Sequence, residues 1–138
     1  MGLLHFIIIL VLLLIIDIPM ITIVNKRMYH DAFKKINNNE INTGQDGIIA
    51  AIICYLLLSF SIYHFVVSPA IQNNTPNNIL VKNGLLLGLF IYGVYNTTNK
   101  ATINNYSTFV TIADTLWGTL LMGIISVLSV SIIKYYKI

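Results

Sequence analysis

Two carboxylates stand inside long apolar runs of this chain, Asp17 in LLLIIDIPMITIV and Asp114 in TIADTLWGTLL. A carboxylate in such a setting can accept hydrogen bonds, hold a cation or trade a proton. Two of them do general acid–base work when their environments set their proton affinities apart. In hydrocarbon each costs roughly 2.5–3.5 kcal/mol by insertion scales, so each must face a protein interior and find partners there. The sequence offers amide, hydroxyl and indole donors: Tyr55, Tyr92, Tyr95, Asn96, Asn99, Thr115 and Trp117. Lys100 is the one cation near enough to reach inward from a loop. Asp17, Tyr55, Tyr92, Tyr95, Asn96, Asn99, Asp114 and Trp117 therefore form the candidate polar patch.

Other chemistries find little support. Cys54 is the only cysteine, so no disulfide forms within the chain, and no C-x-x-C or H-x-x-x-H spacing suggests a metal. No cofactor is expected. There is no Walker motif, no G-x-S-x-G and no heptad repeat. A net charge of +3 is spread along the chain without a basic aromatic face, so nucleic acid is not an expected partner.

The elements that must position the patch are membrane helices. The 138 residues are 57% hydrophobic and 9% charged, against about 25% charged in soluble domains, and mean hydropathy is +0.79. A crossing helix needs about 20 mostly apolar residues, and four runs qualify: 3–24, 47–67, 79–95 and 109–133. None alternates with period two, as a barrel strand would. The expected fold is all-α, a single domain over 1–138: a polytopic membrane protein whose four transmembrane helices pack as a compact bundle. The first run lacks a basic n-region and a small-residue cleavage site, so it is expected to stay as a transmembrane helix.

Between the first two runs, Val24, Met28, Ala32, Phe33 and Ile36 recur at helical spacing opposite Lys26, Arg27, His30, Asp31, Lys34 and Lys35. This predicts an amphipathic interfacial extension of the first helix. Asn37, Asn38 and Asn39 are expected to end it, with Gly44 and Gly47 allowing the return. Lys26, Arg27, Lys34, Lys35 and Lys100 share one side of the membrane, against Lys134, Lys137 and the nearby Lys82. The positive-inside tendency makes that first side cytoplasmic and the termini non-cytoplasmic.

This topology brings Asp17 and Asp114 to one depth, roughly 8–10 Å inside the same leaflet at 1.5 Å per residue. Tyr55 starts the second run at that level, and Tyr92 to Asn99 end the third there. Gly84 and Gly88 form a G-x-x-x-G for close helix approach, Gly118 offers a complementary groove, and Pro19 should disturb the first helix just beyond Asp17.

Asp17, YNTTNKAT at 95–102, DTLWGT at 114–119 and HFVVSPA at 64–70 together resemble a family of small four-helix membrane proteins. It is catalogued as domain-of-unknown-function family 2177 and has bacterial and large-DNA-virus members. The resemblance implies the fold and a shared polar patch, with no established activity. The chain departs from the family pattern at Asn96, where Asp is usual, and at Met20, where Trp is. Lys100 replaces a Leu, and Tyr106-Ser107 replaces Trp-Pro. Lys outnumbers Arg seven to one and Ile, Asn and Tyr abound, which points to an AT-rich genome and a viral or host internal membrane.

Three readings follow. In the first, the patch is hydrogen-bonded glue in a structural or assembly component and the protein is not an enzyme. In the second, Asp17 and Asp114 serve a site that binds or modifies a lipid or small amphiphile. In the third, the carboxylates, with His5 and His64 as an outer station, conduct protons or ions. The corresponding partners are the bilayer, a bound lipid, a second copy or another membrane protein.

Overall fold

The computed structural model describes residues 2–37 and 44–137. Helix α1 runs Gly2–Pro19 and widens into a π-helical turn over Met20–Val24, where the Asn25 N–H reaches back five residues to the Met20 carbonyl at 2.8 Å. The change begins directly after Pro19, whose missing N–H and bulky ring disfavour continued α geometry. Helix α2 follows at Lys26–Asn37 and α3 at Gln45–Ile62; a second π turn, Tyr63–Val67, links α3 to the short α4, Ser68–Gln72. That turn lies just ahead of Pro69 and takes up the crowding its ring would cause. The chain reverses into α5, Asn77–Thr102, and again into α6, Thr108–Tyr136.

Four stretches are long and apolar enough to cross a membrane: Gly2–Val24, Gln45–Gln72, Asn77–Thr102 and Thr108–Tyr136. They coincide with the expected runs but extend further. The third was expected to stop at Tyr95 and instead continues to Thr102. Its polar residues bond their own helix, Thr97 Oγ1 donating to the Gly93 carbonyl at 2.6 Å and Thr102 Oγ1 to that of Thr98 at 2.8 Å, so polarity does not end it. Gly47 lies inside the first turn of α3 rather than in a reversal. The expected stop at Asn38 and Asn39 lies outside the described residues.

Helix α6 is central: half of its most apolar window is buried, against 17% for each of the other spans. Its closest neighbour is α5. A Cβ on Gly84 would lie 2.9 Å from the Gly123 Cα, and one on Gly88 would lie 2.5 Å from the Gly118 carbonyl oxygen. The G-x-x-x-G spacing thus serves a contact within the chain. Ser107 caps α6 by accepting the Val110 N–H at 3.3 Å, as short polar residues do at helix starts.

Four-residue spacing carries the polar residues inward. His5, Ile9, Leu13 and Asp17 are the buried stripe of α1, with Val11, Ile15 and Ile18 exposed on its outer face. Leu80, Gly84, Gly88 and Asn96 are buried on α5, and Val110, Asp114, Gly118 and Met122 on α6. Because i and i+4 stack on one helix face, each carboxyl shares its face with core residues. On α2, Ala32 is buried and Met28, Tyr29 and Ile36 pack with Tyr106, Val110 and Ile103. The apolar face of α2 therefore docks on the α5–α6 connection, protein rather than lipid. Val24 is exposed and takes no part; the Phe33 and Lys35 side chains lie outside the described residues.

Candidate functional site

Asp17 sits where α1 meets α3 and α6. Tyr55 on α3 donates its hydroxyl to Asp17 Oδ2 at 2.9 Å, and Trp117 on α6 donates its indole N–H to Oδ1 at 2.8 Å. Trp117, one of the expected donors, thus bonds an acid directly. Asp114 lies one turn before Trp117 on α6. It accepts the Tyr29 hydroxyl from α2 at Oδ1 and the Asn96 amide from α5 at Oδ2, the latter at 2.7 Å. Asn96 is fully buried. Its Nδ2 also donates to the Tyr92 carbonyl at 3.0 Å, while its Oδ1 accepts the Tyr106 hydroxyl at 2.9 Å.

The result is two carboxyl groups, 4% and 8% exposed, each held by two neutral donors. Burial, then the bond to Asp114, holds the Tyr29 phenol in its neutral form well above the usual tyrosine range; burial likewise pushes up Tyr106. Both effects follow from the cost of placing a phenolate in a desolvated site.

The other candidates fall around this core. The Tyr92 ring lies over Gly118, where an added Cβ would come within 2.0 Å of it. Thr115 donates to the Tyr92 carbonyl at 3.4 Å rather than to a carboxylate. Tyr95 is about half exposed, at 53%, and Asn99 lies beside Tyr106. Lys100 turns to the Tyr106 carbonyl at 2.6 Å and pairs with neither acid. His64 is exposed on the outside of the bundle, stacked on Phe60 and edge-on to Phe65. It does not join the buried His5 in an interior station.

Tyr29 and Tyr106 are the partners that sequence reasoning missed. Tyr29 lies three residues before Ala32, on the apolar side of α2; that spacing was the available signal. Tyr106 stands where the family pattern has Trp.

Between these residues lies a cavity of about 720 Å³, within the roughly 300–1,000 Å³ of small-molecule sites. Asp17, Tyr29, Tyr92 and Asp114 form its polar wall; Ile21, Ala51, Cys54, Leu58 and Ile91 form much of the rest; Lys26 and His30 stand at the α2 edge. Helices α3 and α5 scarcely touch beside it, yet α5 packs against the Tyr63–Val67 turn at the far end. The two helices therefore diverge toward the α2 side, leaving a wedge. Cys54, Ala51 and Tyr95 on its walls are exposed, so the wedge opens sideways, toward lipid. Among the described residues, no group of three or more His, Cys, Asp or Glu side chains could hold a metal.

The profile of a family described as predicted membrane protein, DUF2177, matches residues 2–131. The chain belongs to this family. It is an integral, multi-pass membrane protein, and family membership brings no specific activity with it. Neither the curated proteins nor the solved structures contain a match to the chain.

Proposed function

We propose that this DUF2177 protein binds a membrane-dissolved amphiphile in the wedge between α3 and α5, with the polar end of the ligand at Asp17 and Asp114. The supporting observation is the cavity of about 720 Å³, mostly apolar and open to the lipid side, with both carboxyl groups on its wall. Polar groups used only as glue are expected in a closed, packed interior, because an adjoining void forfeits dispersion contacts. A mostly apolar pocket with a few convergent polar groups is instead the usual form of a ligand site.

The test is quenching of Trp117, the only tryptophan, by monoacylglycerol brominated along its chain, with the protein in phosphatidylcholine vesicles. A saturable component above the bulk-lipid background is expected. Cys54→Phe, which fills the cavity from its exposed wall, should remove it. Quenching that rises only in proportion to quencher mole fraction would leave the site without a ligand.

The glue reading keeps one observation in its favour. Hydrogen bonds to the two acids join α1, α2, α3, α5 and α6, so the same contacts that shape the site also hold the bundle.

A further inference from the structure

Resting on that cavity reading, we infer that the ligand's polar end is a protonated amine. The argument is an inventory of donors and charges. Tyr55, Trp117, Tyr29 and Asn96 direct their protons onto the two carboxyl groups, and all four are neutral. An ionised carboxylate has about four lone-pair sites, so each acid keeps acceptor capacity after its two protein donors are counted. The cavity wall thus has spare acceptors and no cation bonded to either acid among the described residues. Lys100 is engaged at the Tyr106 carbonyl, Lys26 stands at the α2 edge of the cavity, and His30 approaches Asp31 at 3.5 Å on exposed side chains.

Four ligand types can be compared at this wall. An anionic head group at the acids would meet two like charges, with the Lys26 cation standing apart at the α2 edge. An alcohol supplies one proton and no charge. Among the described residues no group of three or more His, Cys, Asp or Glu side chains could hold a divalent ion; calcium takes six to eight oxygens and magnesium near-octahedral geometry. An alkylammonium supplies a compact positive charge and three donors, as a lysine ammonium does. It can pair with a carboxylate while its chain leaves between α3 and α5. Charge-assisted bonds of this kind are roughly twice as strong as neutral ones.

The experiment uses the full chain in phosphatidylcholine vesicles and reads Trp117 emission, which responds locally because its indole donates to Asp17. Dodecylamine, 1-dodecanol and sodium dodecyl sulfate share one tail and differ in head group. Dodecylamine is expected to give a saturable response at least about tenfold tighter than dodecanol, with no saturable response to the sulfate. Asp114→Asn should weaken dodecylamine about tenfold and change dodecanol less than about twofold. If Asp114→Asn is not folded by circular dichroism, Asp17→Asn carries the same expectation.

Equal affinity for amine and alcohol, with saturable binding of both, would overturn the amine assignment and leave the cavity reading standing. A saturable response to the sulfate matching that to the amine would overturn the assignment in the same way. Tight amine binding unchanged in both Asn variants would overturn it too. Failure of every probe, with no saturable monoacylglycerol quenching, would remove both proposals together.

Discussion

Asn96 offers the sharpest test of how the polar centre is held. Its side chain is fully buried and makes three contacts: to Asp114 at 2.7 Å, to the Tyr92 carbonyl at 3.0 Å and from the Tyr106 hydroxyl at 2.9 Å. Asn96→Ala removes a bond to an acid, worth about 1.5–3 kcal/mol, and leaves the Tyr106 hydroxyl without its acceptor at about 1–3 kcal/mol. Polar pairs in membrane bundles run lower, averaging about 0.6 kcal/mol with a maximum near 1.7. Weighing the two scales, Asn96→Ala should cost about 2–4 kcal/mol. Tyr106→Phe alone should cost about 1 kcal/mol.

The double variant is the decisive measurement. With Asn96 already gone, Tyr106→Phe removes a hydroxyl that has lost its acceptor, so the pair should cost about 1–1.5 kcal/mol less than the sum of the singles. Unfolding by dodecyl sulfate in mixed micelles, followed by circular dichroism and Trp117 fluorescence, gives all three values. Additivity within about 0.3 kcal/mol, or a loss below about 1 kcal/mol for Asn96→Ala, would refute the argument.

Other expectations use the same preparation. Gly88→Ala should destabilise by about 1–3 kcal/mol, because its Cβ meets the backbone of Gly118 and Thr119 and backbone yields poorly. Gly93→Ala, whose Cβ meets only the Thr115 methyl at 3.8 Å, should be neutral or stabilising by up to about 1 kcal/mol. Tyr29→Phe cuts the link from α2 to Asp114; hydrogen exchange in α2 should quicken about tenfold, the equivalent of roughly 1.4 kcal/mol, with α5 and α6 unchanged. Native Tyr29 is held neutral above the ordinary tyrosine value of about 10, so the unfolded chain ionises first. Its contribution is complete below that value and is lost as pH rises beyond it. The alkaline absorbance difference between wild type and Tyr29→Phe isolates that phenol and should show it titrating late.

The four crossings were legible because apolar run length is a local property of the sequence. The inward aim of Asp17 was legible too: it shares four-residue spacing with Ile9 and Leu13, and the cost of exposing a carboxylate to lipid forces that face inward. The ends of the crossings were harder to read. Thr97 and Thr102 satisfy their hydroxyls on their own helix, so composition changes where structure does not. Tyr29 was missed for a different reason. An amphipathic stripe gives a face but not its neighbour, and only the docking of α2 onto Tyr106 and Val110 turns that phenol toward Asp114. The wedge was beyond sequence altogether, because it arises where α3 and α5 fail to meet.

That sideways mouth changes the accounting for whatever enters it. An acyl tail leaving the bilayer for a wall of isoleucine, leucine and alanine exchanges one oily environment for another, so the hydrophobic effect contributes almost nothing. Selection by tail length should accordingly be weak. Occupancy would follow the mole fraction of a suitable head group in the leaflet, not its concentration in water.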